Sequence, residues 1–147
     1  MKLADKPAHL RRSLDEAMKR EGLDAVVAMS PENFLHLAGV YVVSQRMIRE
    51  RLAIAVYPRG REPFLVISSV VANTVRRESW VQDQVVWAEH VKTPVETLAA
   101  ELKSRGLAEG RIGLEMHYLA AAYFEELKAA SPKAEWIDSE VLLNRSR

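Results

Sequence analysis

Leu52-Ala53-Ile54-Ala55-Val56-Tyr57-Pro58-Arg59-Gly60-Arg61-Glu62-Pro63-Phe64-Leu65-Val66-Ile67 is the stretch that decides the fold. Two apolar runs flank a turn-forming segment, so it predicts a β-hairpin with a loop of about five residues. On either side of it, helical and extended patterns alternate.

Upstream, apolar residues between about His9 and Arg20 fall at Leu10, Leu14, Ala17 and Met18, the spacing of one helix face. Gly22 lies just past that helix, where a glycine takes positive φ without strain. Asp24-Ala25-Val26-Val27-Ala28-Met29 predicts a short buried strand. Ser30-Pro31-Glu32-Asn33 opens the next helix. The Ser30 hydroxyl is suited to cap its free N–H groups, and Pro31 loses nothing at the first helical position. Phe34, Leu35, Leu37 and Ala38 follow, and Gly39 closes it. Val40-Tyr41-Val42-Val43 predicts a strand, and Ser44 to Arg51 a polar, arginine-rich connection.

Downstream, Ser68 or Ser69 is placed to cap a helix running to about Glu78, and Gln84 to Glu89 predicts a strand. Thr93-Pro94-Val95-Glu96 is a capping box: the Thr93 hydroxyl accepts from the Glu96 N–H while the Glu96 carboxylate reaches back to the Thr93 N–H. That helix turns Val95, Leu98, Ala99 and Leu102 inward and ends at Gly106. Arg111 to Glu115 predicts a strand. Leu119 to Ala130 predicts a helix with Leu119, Tyr123 and Leu127 aligned. Glu135 to Asp138 predicts a last strand, and Ser139 opens a short final helix. The order implies an α/β fold: a mixed, mostly parallel sheet with a central antiparallel hairpin and helices on both faces. No repeat and no low-complexity linker interrupts it, so residues 1–147 are expected to form a single domain.

The composition agrees with an ordinary globular chain, 48% hydrophobic and 28% charged. The 21 Lys and Arg nearly balance the 20 Asp and Glu. A net charge of +1 gives no footprint for nucleic acid or an anionic membrane surface. No cysteine is present, which excludes disulfides, thiolate metal sites and a cysteine nucleophile, and fits a reducing cytoplasm. Met1-Lys2-Leu3-Ala4-Asp5-Lys6-Pro7 has no apolar core, so no secretory signal is expected there. The apolar runs are far too short to span a bilayer.

Candidate chemistry is sparse. The histidines, His9, His36, His90 and His117, show no ligand spacing; only Glu32 and His36 share a helix face. No glycine-rich phosphate loop is present, and Gly110-Arg111-Ile112-Gly113 reads as a turn into a strand. Ser30, Ser68, Ser69 and Ser139 stand where caps are expected, and no nucleophile elbow surrounds them. The adjacent Glu125 and Glu126 diverge on a helix and make no acid/base pair. Trp87 and Trp136 lie in strand patterns and are expected to pack. Trp80 is expected to pack as well, with a domain contact as its alternative.

The segment Tyr41 to Arg51 stands apart. It carries Tyr41, Gln45, Arg46, Met47, Ile48, Arg49 and Arg51. An aromatic, methionine and arginine mixture is typical of interfaces, and arginine's fork matches a carboxylate.

Taken in order, these patterns resemble the N-terminal domain of the creatinase/prolidase/aminopeptidase P family. Gly22-Leu23-Asp24-Ala25-Val26-Val27 resembles the family's entry into its first strand. Ser30-Pro31-Glu32-Asn33-Phe34-Leu35-His36-Leu37-Ala38-Gly39 is similar to the family's S-P-x-N stretch. There His36 replaces the common Tyr, and Ala38 the common Ser or Thr. Ile112-Gly113-Leu114-Glu115 and Trp136-Ile137-Asp138 resemble its later part, and Val141-Leu142-Leu143-Asn144-Arg145 the lead-in to a catalytic domain.

The resemblance implies a ribonuclease H-like fold and a non-catalytic domain of a Xaa-Pro peptidase or creatinase-type hydrolase. It implies that the catalytic domain would follow this chain and hold divalent metal ions. The family's metal ligands, two Asp, one His and two Glu, match no position here. By itself, this chain is expected to hold no cofactor and to show no peptidase activity. The resemblance further implies a cytoplasmic homodimer in which such domains border the active site. Tyr41, Arg46 and Arg49 are the candidate substrate or interface contacts. Two rivals remain: a standalone module of this fold that binds an amino acid or carboxylate, and an enzyme that uses the residues assigned as caps.

Overall fold

The hairpin forms and supplies two strands of a six-stranded sheet. The structure, a computed structural model, describes residues 5–147. Met1–Ala4, the start of the segment expected to hold no secretory signal, lie outside them. The strands are β1 (Ala25–Ala28), β2 (Ile54–Pro58), β3 (Phe64–Ser68), β4 (Gln84–Trp87), β5 (Arg111–Leu114) and β6 (Glu135–Asp138), in the order β4-β3-β2-β1-β5-β6. β2 runs antiparallel to both neighbours, and every other pairing is parallel. The carboxyl ends of β1, β3, β4, β5 and β6 therefore share one edge of the sheet.

The central strands are apolar throughout because both faces are covered. Val26, Ala28, Ala55, Tyr57, Leu65 and Ile67 face one layer, made by α1 (Lys6–Glu21), α2 (Pro31–Ala38), α4 (Ala72–Glu78) and α7 (Glu140–Arg145). Their sequence neighbours Ala25, Val27, Ile54, Val56, Phe64 and Val66 face the other, made by α5 (Pro94–Ser104) and α6 (Ala121–Ala130). Leu10, Leu14 and Met18 of α1 and Leu98 and Leu102 of α5 are buried as their spacing predicts. Full burial of one such side chain stabilises by about 1.5–3 kcal/mol.

Three local expectations are corrected. Val40 to Val43 forms no strand; α3 (Val43–Met47) occupies part of it and of the expected connection. β2, the next strand along the chain, already has a partner on each side, so this segment cannot pair with it. Neither Ser68 nor Ser69 caps α4, which starts at Ala72 with Val71 at the cap position. The Ser68 hydroxyl instead accepts from the Val70 N–H. Ser139 does not cap α7 by its side chain; Asp138 accepts the Glu140 N–H in its place. A side chain at Gly113 would collide with the Ser139 Cβ, so β5 and the start of α7 approach as closely as a bare Cα permits.

Candidate functional site at the carboxyl edge of the sheet

β1 and β5 are parallel neighbours whose chains leave toward opposite faces, β1 into α2 and β5 toward α6. Such a switch point opens a crevice at the carboxyl edge. Here Glu115, fully buried, stands in it. Its Oε2 accepts from the Met29 N–H at 2.5 Å and the Ser30 N–H at 2.7 Å. Its Oε1 accepts from the Ser30 hydroxyl at 2.7 Å and from the Asn33 side-chain amide. Ser30 does cap α2, accepting the Asn33 N–H at 3.3 Å. The Ser and Asn of the S-P-x-N stretch are thus the two side chains that seat this carboxylate. Sequence reasoning gave Glu115 no role. The available signal was an acid directly after the apolar Ile112-Gly113-Leu114.

Met29 links this clasp to the segment read as an interface. Its carbonyl accepts from the amide of Gln45, a residue of α3 only 1% exposed. The same amide also reaches the Ala53 carbonyl at 3.4 Å. Gln45 therefore pins α3 to the sheet edge, while Tyr41, Val43, Met47 and Ile48 stay exposed, Met47 by 80%. Arg46 Nη1 donates to the Tyr41 oxygen at 3.1 Å. Arg49 goes elsewhere: Nη2 donates to the Tyr118 carbonyl at 2.5 Å, and the guanidinium sits 4.9 Å from that ring's centroid. Among the described residues neither arginine pairs with a carboxylate. Partial burial pushes the Tyr118 phenol up, so it stays neutral at physiological pH.

Beside this segment lies a cleft of about 480 Å³, walled by Ile48, Trp87, Val91, Pro94 and Tyr123. Arg51 and Glu89 form a two-point ion pair in it, Nε to Oε1 at 2.5 Å and Nη2 to Oε2 at 3.2 Å. The Trp87 indole N–H donates to the Leu52 carbonyl at 3.2 Å.

The remaining candidates do not converge. His117 Nε2 lies 2.9 Å from Asp138 Oδ2 in an exposed pair. His36 and Glu32 line a separate groove with Lys6, Leu35 and Trp80. Among the described residues no three His, Asp or Glu side chains stand together to hold a metal ion. No serine hydroxyl there is bonded to a histidine. No described helix is long and apolar enough to cross a membrane.

The fold has its counterpart in a known class of protein: the chain belongs to the Creatinase/Prolidase N-terminal domain family, whose model matches residues 11–147. One curated relative is YkvY of Bacillus subtilis (strain 168), whose name proposes a dipeptidase. It is 27% identical over 130 residues, covering 88% of this chain and 34% of YkvY. The chain thus spans about a third of that relative's length. Among solved structures, the Xaa-Pro dipeptidase from Bacillus anthracis matches with a TM-score of 0.77 and 15% identity, over 96% of this chain and 36% of that one. The N-terminal domain of the Xaa-Pro dipeptidase from Lactobacillus brevis matches with a TM-score of 0.75 and 15% identity, over 93% and 98%. At these identities the likeness is one of fold.

Proposed function

We propose that this chain serves as the non-catalytic N-terminal domain of a Xaa-Pro peptidase or creatinase-type metallohydrolase. In this proposal, Tyr41 to Arg51 docks against a catalytic domain and borders its active site. The observation that carries the proposal is the outward face of α3. Val43 and Met47 are exposed one turn apart, beside Tyr41 and Ile48, on a segment that the buried Gln45 holds in place. Exposed apolar surface of this kind, mixed with Tyr, Met and Arg, suits a protein partner. Arg46 and Arg49 have guanidinium N–H groups to spare for a substrate carboxylate. A cytoplasmic homodimer, with divalent metal held by the following domain, completes the proposal.

The test is steady-state kinetics of the longer enzyme carrying Arg46→Ala or Arg49→Ala. Loss of a charged hydrogen bond to substrate raises the Michaelis constant on the order of tenfold. Michaelis constants equal to those of the parent enzyme would sink the substrate-contact role. Sedimentation velocity of Met47→Asp checks the docking role, which predicts weakened association.

The cleft beside Arg51 supports a second reading, a module that binds an amino acid or small carboxylate. Its volume falls within the usual range for ligand sites. A saturable rise in melting temperature of the 147-residue chain with free amino acids would favour it.

A further inference from the structure

We infer that the donors around Glu115 form a carboxylate-binding site which this chain fills from within, and that acetate would occupy it once the Glu115 side chain is removed. The donors belong to one short stretch, Met29 to Asn33, whereas the carboxylate arrives from a residue more than 80 positions away. The stretch has its own supports. Ser30 is fixed by its cap to the Asn33 N–H, and Met29 by the Gln45 amide on its carbonyl. The two backbone donors and the Ser30 hydroxyl therefore keep their positions without Glu115.

Asn33 supplies a second observation. It is 2% exposed, its amide nitrogen points at the carboxylate, and the oxygen of that amide has no partner. A buried amide that leaves its own oxygen unpaired is oriented by the anion before it. The location agrees, since a switch point at the carboxyl edge is where open α/β sheets take ligands. In this chain that position is closed to free ligand by an internal one.

Shape identifies the class of ligand. Glu115→Ala removes Cγ, Cδ and both oxygens, the heavy atoms of acetate. Formate would leave a methyl-sized void, and propionate would overfill the space. Chloride cannot meet donors arranged for two oxygens.

The experiment is thermal melting of the full chain carrying Glu115→Ala in acetate, formate, propionate and chloride at equal ionic strength. The expected result is a lowered melting temperature that acetate raises saturably, by roughly 5–10 °C at a hundredfold excess over its dissociation constant. Acetate acts more strongly than propionate, and the unaltered chain shows no such response. Equal responses of the two proteins to acetate would overturn the inference. Should Glu115→Ala not fold when purified, its refolding yield in acetate against chloride makes the same comparison: a gain in acetate supports the site and equal yields reject it. Glu115→Gln keeps the shape but turns an NH2 group toward donors. It melts below the parent and acetate does not restore it; melting with the parent would equally reject a site for a carboxylate.

Discussion

Trp80 packs onto the bare Cα of Gly39: a Cβ at Gly39 would overlap the six-membered ring of the indole. The same tryptophan donates its N–H to the Leu37 carbonyl at 2.9 Å, where the Tyr57 hydroxyl also donates at 2.7 Å. Ser79 donates to the next carbonyl, Ala38, at 2.6 Å. The free carbonyls at the end of α2 are thus taken up by side chains from β2 and from the residues after α4. Trp80, read from the sequence as a packing residue with a domain contact as the alternative, packs against the core and closes the end of a helix.

Gly39 therefore answers to two constraints, a φ of 76° and the indole against it. Gly39→Ala is expected to lower stability by about 3 kcal/mol, from the left-handed backbone and overpacking together. In a Trp80→Ala background only the backbone penalty of about 1 kcal/mol remains. Urea unfolding of the two single variants and the double one checks this. The same penalty in both backgrounds would show that the indole is not what excludes a side chain.

Gln45→Ala should release α3. The change leaves the Met29 and Ala53 carbonyls without their side-chain donor. Stranding buried carbonyls is expected to destabilise the domain by about 2–3 kcal/mol. Trypsin should then cut after Arg46 and Arg49 faster than in the parent chain. Unchanged cleavage there would mean that α3 is held by something other than this amide.

Element identity was legible wherever local chemistry and burial agreed. The capping box at Thr93 and Glu96, the Ser30 cap with Pro31 behind it, and the five residues between β2 and β3 form as the spacing predicts. The misreadings share a cause. Val40 to Val43 is apolar and rich in β-branched residues, but Val40 and Val42 are buried with the helical layer, and β2, the next strand, is already paired on both sides. Ser68 and Ser139 look like caps by composition, yet Ser68 turns to its own loop and Ser139 is wedged against Gly113. Of the candidate contacts, Arg46 joins Tyr41 while Arg49 joins Tyr118, a residue 69 positions further along the chain that local patterns cannot pair with it. Glu115 escaped for the same reason: its partners are set by the parallel pairing of β1 and β5.

His36 gives the domain a response to mild acid. Burial is the main cause lowering its pKa below the usual 6.5, and the charges of Lys6 and Arg147 act in the same direction. A hydrogen bond with the Ser146 backbone opposes them, and Glu32 lines the same groove. With its folded pKa lowered, His36 binds a proton in the unfolded chain before it does in the folded one. Stability is therefore greatest above the unfolded value and falls as pH drops from about 6.5 through the folded pKa. Asp83 acts in a separate window. The Arg105 guanidinium holds its carboxyl below 3.8, so its contribution is lost only in stronger acid. The expected outcome is that the urea midpoint of the parent chain drops between about pH 7.5 and pH 5.5. In His36→Tyr, where position 36 no longer titrates in that range, the drop is smaller. Parallel profiles for the two proteins would assign the acid sensitivity to groups other than His36.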